Sequence, residues 1–411
     1  MRIYYLLLII ILPQISFTQP FDLLIKGGHL IDPKNNLDAV LDIAIANGLV
    51  ARVAPDIPKT SATLVIDAAG LYVSPGFVDI HSHNYYGVDP ESEYSNGSNA
   101  LNPDGFTFRS GVTTVVDAGG SGWRNFSHFK KQVIDRSQTR VLAFLNIVGN
   151  GMRGGPWEQD VNDMDPKMAS IVAKRHKEIV GIKLAHFSGH DWTPVDRAVE
   201  AGTLAGIPVM VDFGGADPPL SLETLFMEKL RPGDIYTHVF GGGGNRRQAI
   251  VDDDLKLRPF IFAAQKRGII YDVGHGGASF FYKNAVPAMK AGLRPNTIST
   301  DSHGRSILSG MKDMTNVMSK FLNLGMSIQE VIAASTWSAA KVINREDLGQ
   351  LSVGTEADVT LFKILTGDFG FMDRTGGEKM AGKQKIEAEM TIKGGKIVWD
   401  LNGLAVETYK D

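Results

Sequence analysis

Phe77-Val-Asp-Ile-His81-Ser-His83 reads as a short apolar run ending in two histidines separated by one residue. Successive side chains of a strand point to opposite faces, so His81 and His83 share a face, a geometry that suits two imidazoles on one metal. Alone the pair is a weak signal. Its weight comes from seven further apolar, β-branched runs at 111–119, 140–149, 179–187, 207–215, 234–242, 268–276 and 297–304, nearly all ending in Gly, His or Asp. Most are separated by stretches with i, i+3, i+4 apolar spacing, such as 168–180 and 195–205, which predict helices. Continuous apolar strands alternating with helices predict an α/β chain whose parallel sheet is covered on both faces. Eight such units suit a closed (β/α)8 TIM barrel over residues 74–349 better than an open sheet.

Barrels carry their chemistry at the carboxyl ends of their strands. There the fourth run presents Lys183, in Gly-Ile-Lys-Leu-Ala, where a barrel interior normally hides apolar atoms. The fifth presents Asp212, the sixth His238, the seventh His275 and the eighth Asp301. With the first pair, six of eight runs end on an ionisable side chain, which random placement does not produce.

The flanks have a different period. Leu24-Ile-Lys-Gly-Gly28 is echoed by Thr391-Ile-Lys-Gly-Gly395, and residues 20–73 and 350–411 read as short alternating strands with glycine turns. They predict one small β-sandwich built from both termini. Residues 1–19 carry Arg2, an apolar stretch from Tyr4 to Leu12, then Ser16 and Thr18, the pattern of a signal peptide cleaved near Thr18 or Gln19. The expected location is therefore periplasmic or secreted, with no stable membrane span after cleavage.

Lys plus Arg number 42 against 45 Asp plus Glu, so no basic excess points to nucleic acid. Hydrophobic residues at 43% and charged residues at 21% exclude a disordered chain and a membrane bundle. The absence of cysteine removes thiolate metal sites and Cys nucleophiles, leaving His, carboxylates or a less usual group to hold metal.

Pro75-Gly-Phe-Val-Asp-Ile-His-Ser-His83 and Gly354-Thr-Glu-Ala-Asp-Val-Thr-Leu-Phe362 resemble the opening and closing signatures of the amidohydrolase superfamily, in its dinuclear-metal branch of dihydroorotases, D-aminoacylases and related deacetylases. The resemblance covers nearly the whole chain after the leader. It implies two divalent metal ions, zinc foremost with manganese or iron as alternatives. His81 and His83 would hold the first, His238 would serve the second, and Lys183, carboxylated by CO2, would bridge them. Asp301 would be both ligand and general base for attack of a metal-bridging hydroxide. A carbamate replaces a repelled ammonium by a negative group with two bridging oxygens, and two metals sharing a water lower its pKa.

One position departs from the pattern. Where the family usually places a metal-binding His on strand five, this chain has Asp212. Either Asp212 is a ligand in an oxygen-rich site, or it turns away and the barrel works with one metal or has lost catalysis.

For the substrate, Asn84 and Tyr85 stand where dihydroorotase-like members carry x-Arg, which weakens a pyrimidine reading. The segments 117–122, 146–152 and 271–277 resemble the deacetylase-like branch, implying hydrolysis of an acyl amide or ester outside a ring, with ring opening of a cyclic amide as the alternative. His275, Arg153 and Asn146 are the candidate substrate-binding residues; Arg153 and Arg246 read either as ordinary surface charge or as a bidentate grip on a carboxylate. His186, His190 and His303 lie near the same rim without an assigned metal. Residues 84–110 read as a lid. The expected partner is a small acylated molecule bearing a carboxylate, and the expected assembly a homo-oligomer.

Overall fold

A computed structural model of the protein describes residues 20–89, 91, 92, 94, 96–243 and 246–409; the signal-peptide reading lies outside them. Both ends of the chain build one sheet. Its N-terminal strands are β1 (Phe21–Asp32), β2 (Leu37–Ala46), β3 (Leu49–Ala54), β4 (Ala62–Asp67) and β5 (Tyr72–Pro75). The sheet forks at β1. While β2 runs antiparallel along one edge, the other edge pairs with β4 up to Lys26 and with β5 from His29, and a register shift between Ile25 and Gly28 separates the halves. Gly27 sits there at φ 74, a conformation that favours glycine. The expected sandwich is thus one hydrogen-bonded sheet. Its apolar face joins Leu23, Ile25, Leu30, Ile43 and Ile45 to Val359, Leu361, Met390 and Ile392 from the other terminus.

The middle of the chain supplies β6 (Phe77–Ser82), β7 (Val112–Gly122), β8 (Arg140–Asn146), β9 (Ile179–Leu184), β10 (Val209–Val211), β11 (Ile235–Tyr236) and β12 (Ile270–Tyr271), paired in parallel in chain order. Helices such as Pro166–Arg175 and Thr193–Ala205 lie between them, each opening with proline in its first turn, where no donor is lost. The sheet curls until residues 297–302 bridge its two edges, through Asp272 with Thr297 on one side and Ser82 with Ser302 on the other. That segment is the eighth run of the sequence. Val116, Ala118, Leu142, Phe144, Met210 and Ile235 cluster with Ala339, Ala340 and Ile343, while the intervening Val115, Val141, Ala143, Val209, Val211 and Tyr236 join a larger cluster with the helices. The alternation explains why these strands read as continuous apolar runs. Among the described residues no helix is long and apolar enough to cross a membrane.

The strands β13 (Val359–Met372) and β14 (Lys379–Lys393) form a long hairpin, followed by β15 (Lys396–Asp400). Its base completes the terminal sheet through β5, and its far half extends past β5 as a two-stranded ribbon that packs on the helix Met314–Asn323. The tip reaches the carboxyl end of the barrel, where the Thr375 amide donates to the Gly277 carbonyl at 3.1 Å. Lys320 fastens it: fully buried, its ammonium donates to the carbonyls of Gly310 and Met372, both at 2.7 Å, and meets His275 Nε2 at 2.6 Å.

Burial lowers the Lys320 pKa from 10.5 to about 7. The unfolded chain then binds the extra proton between those values, so stability rises with pH across that window. Lys320→Met leaves two carbonyls unpaired and is expected to cost about 2–4 kcal/mol and to remove this rise. Urea denaturation of both proteins at pH 7 and pH 10 measures both effects.

Candidate metal centre

Three of the residues at the strand ends share an unusual backbone. His186, His238 and Asp301 have φ of 54°, 56° and 54°, in the left-handed region that side chains other than glycine rarely adopt. Each such residue costs on the order of 1 kcal/mol and persists only where its surroundings hold it.

His81, His83 and Asp301 converge, with one donor atom from each lying within 4.8 Å of the others. His83 Nε2 is 2.9 Å and His81 Nε2 3.5 Å from Asp301 Oδ1. The Thr237 hydroxyl, 2.8 Å from His81 Nδ1, itself donates to Asp272 at 2.7 Å, so the ring is oriented with Nε2 toward the cluster. Lys183 completes the group: fully buried, its Nζ lies 3.4 Å from His81 Nε2 and 3.6 Å from the Met210 thioether, and it pairs with no carboxylate among the described residues. Desolvation lowers its pKa, against the more distant Asp212 and Asp301 charges. Burial raises the Asp301 pKa, yet the His81 charge and the His83 hydrogen bond outweigh it and hold the carboxyl well below its ordinary range.

A second group adjoins the first, the His81 and His238 rings being 5.0 Å apart between centroids. Asp212 Oδ2 lies 3.3 Å from His238 Nε2 and 3.1 Å from His186 Nε2. His238 Nδ1 donates to the Gly274 carbonyl, so the ring presents Nε2 to Asp212. Burial opposes charge on Asp212, but the His238 and His186 charges hold its carboxyl well below the usual range. His186 is the converse: burial opposes its charge, Asp212 outweighs burial, and its pKa rises to about 10.

In the first group, imidazole and carboxylate donors at these separations fit a divalent metal ion of the zinc, manganese or iron kind, and Asp212, His238 and His186 offer the same donor types beside it. The buried Lys183 amine fits the same interpretation. It lacks a matching partner as an ammonium, and as a carbamate it would offer two oxygens between the groups.

The site opens into a cavity of about 430 Å³ lined by His83, Asp212, His238 and Asp301, with His186, Tyr94, Asn99, Arg247, His303, Arg305 and Thr375 on its walls. Tyr94 and Asn99 come from the segment expected to be a lid, and Asn99 is tied down through its carbonyl to the Gly304 amide at 2.7 Å. Three expected substrate contacts lie elsewhere. His275 is fully buried, held by Lys320 and stacked on Phe280 at 4.6 Å, because the helix Met314–Asn323 offers it a partner beneath the rim. Arg153 pairs with Asp89 and covers the Trp157 ring. Asn146 spends its amide inside the loops, donating to Gly119 O at 3.1 Å and accepting from the Val148 amide at 3.0 Å. Arg246 is exposed and reaches only the Gly215 carbonyl. The cations that face the cavity are Arg247, 3.8 Å from Asp212 Oδ1 with its own Nε unpaired, and Arg305.

Gly119 packs against Lys183 at φ 90; a Cβ there would lie 2.6 Å from Lys183 Cγ and 2.9 Å from its Cβ. Gly119→Ala is expected to destabilise the fold by about 1–3 kcal/mol and to displace the amine. Denaturation midpoint together with bound metal per chain checks this: a variant as stable and as metal-rich as the parent would contradict it.

Comparison with known proteins agrees with this geometry. The profile of the Amidohydrolase family matches residues 281–398. A deacetylase of Brucella anthropi is 34% identical over 348 residues, covering 82% of this chain and 83% of that protein. A deacetylase of Agrobacterium fabrum is 34% identical over 366 residues, covering 87% and 86%. Among solved structures, one described as an adenine deaminase superposes with TM-score 0.81 at 28% identity, covering 92% of this chain and 100% of that one. One described as a dihydroorotase superposes at 0.78 with 30% identity, covering 92% and 99%. The chain belongs to the amidohydrolase family.

Proposed function

We propose that this hydrolase of carbon–nitrogen bonds other than peptide bonds is metal-dependent and cleaves an acyl amide, or the corresponding ester, outside a ring. The observation that carries the reading is the convergence of His81, His83 and Asp301 beside a buried, unpaired Lys183 amine. The deacetylase names of two relatives 34% identical to this chain support the acyl class.

His81, His83 and Asp301 would hold one divalent ion, Asp212 and His238 a second, with carboxylated Lys183 between them. When bound, the metals supply Lewis acidity and a water of lowered pKa. The chain does the rest. Desolvation lowers the Lys183 pKa, which favours the neutral amine that CO2 requires. Asp301, kept ionised, can accept the proton of the attacking water at its carboxylate and return it to the leaving nitrogen or oxygen. Arg247 and Arg305 supply donors to a substrate carboxylate across the cavity. The leader-like residues 1–19 support export from the cytoplasm.

The solved structure described as a dihydroorotase, 30% identical, supports one second reading, ring opening of a cyclic amide. A panel of N-acyl amino acids, O-acyl hydroxy acids, dihydropyrimidines and hydantoins separates the two. Turnover of the acyl compounds alone is expected, and turnover of the cyclic ones alone would overturn the proposal. Lys183→Ala is expected to lower kcat/KM by on the order of 10³-fold or more, with partial return on adding short carboxylic acids. Full activity without them would refute the bridge.

A further inference from the structure

The position at the end of β10 offers a carboxylate, and the imidazole that accompanies it comes from somewhere else. His186 lies three residues beyond Lys183, in the loop that leaves β9, and its Nε2 is 3.1 Å from the same Asp212 oxygen that His238 Nε2 approaches at 3.3 Å. Two features show that this placement is built. The backbone of His186 is held at φ 54, with Gln159 Nε2 donating to its carbonyl at 2.8 Å. On the other side of the ring, Nδ1 lies 3.1 Å from Glu158 Oε1 and 3.0 Å from the Tyr94 hydroxyl. Glu158 is only 1% exposed although it stands in the short turn Gly155–Gln159.

A buried carboxylate gripping one ring nitrogen fixes the tautomer and direction of the other, and metal-binding histidines are ordinarily held in this way. Two other imidazoles of the centre are held alike, His81 through Thr237 and Asp272 and His238 through the Gly274 carbonyl, whereas His83 Nδ1 has no partner among the described residues. His186 lines the cavity beside Asp212 and His238, and Asp212 gathers both rings on one oxygen.

We propose that His186 is a ligand of the second metal ion through Nε2, together with Asp212, His238 and the carboxylate on Lys183, and that Glu158 and Tyr94 are its positioning residues. The proposal rests on the two-metal reading of the centre. It gives that ion two nitrogen and two oxygen donors from the chain, a set compatible with zinc and with the harder manganese and iron.

The test is metal content and metal coordination of the full chain reconstituted with zinc and bicarbonate. Two zinc ions per chain are expected for the parent protein, and X-ray absorption should count about two imidazole nitrogens per zinc, four histidines shared by two ions, against about one and a half if His186 stays outside. His186→Ala is expected to keep the first zinc and lose the second at equimolar metal, with free imidazole restoring it. Glu158→Gln, which leaves the ligand in place, should weaken the second equivalent by only about 10–100-fold. The parent measurement decides even if a variant fails to fold. Two zinc ions bound by His186→Ala with parental affinity, or one and a half imidazoles in the parent, would overturn the ligand assignment while leaving the two-metal centre standing. Fewer than two zinc ions in the parent would overturn the centre itself, and the assignment with it.

Discussion

Burying an amine in the middle of a barrel without a carboxylate partner is among the least favourable things a fold can do, because desolvation penalises the charged form by several kcal/mol. Lys183 is in that position, fully buried, with a histidine nitrogen and a thioether as its nearest polar neighbours. The residues around it make sense once the amine is a site for CO2. Gly119 leaves room for its stem, Asp301 with His81 and His83 closes one side, and Asp212 with its two histidines closes the other. As a carbamate the side chain would be negative, and cations on either side would turn an unfavourable burial into a favourable one.

The strained backbone belongs to the same constraint. Side chains within a strand point into or out of the barrel, so donors at its mouth come from residues where the chain turns out of the strand. His186, His238 and Asp301 achieve that turn through left-handed φ, and each is locked by what surrounds it: Gln159 on the His186 carbonyl, Gly274 on the His238 ring, and the His81 carbonyl accepting the Asp301 amide at 2.7 Å. Further support comes from Asp272, which takes hydrogen bonds from Thr237, Thr297 and Ser299 and so joins the last strands of the barrel to the ring of His81. The terminal hairpin extends the scaffold to the rim through Lys320 and Thr375.

The barrel was legible in the sequence because its strands are apolar on both faces and end abruptly in glycine and ionisable residues. Residues brought in by side-chain direction within a strand, His81, His83 and Lys183, follow from a period of two. What depends on the backbone beyond the strand end does not. Nothing in Leu-Ala-His186-Phe shows that the ring turns back toward Asp212, since that depends on one positive φ. His275 ends a strand as His238 does, and only tertiary packing reveals that Lys320, on a helix that reads as an ordinary amphipathic one, draws it beneath the rim. Arg153 had the right loop but a closer carboxylate in Asp89. The hairpin reads as two alternating strands of the terminal sheet, and its length gives no sign that half of it covers the barrel.

The most direct measurement is a crystal structure of the protein grown with zinc and bicarbonate, with the metals located by anomalous scattering at the zinc edge. The account predicts two anomalous peaks in the barrel mouth, one beside His81 and His83 and one beside Asp212 and His238, with continuous density from Lys183 Nζ to a carboxylate between them. A single peak, or two peaks flanking an unmodified Lys183, would contradict it.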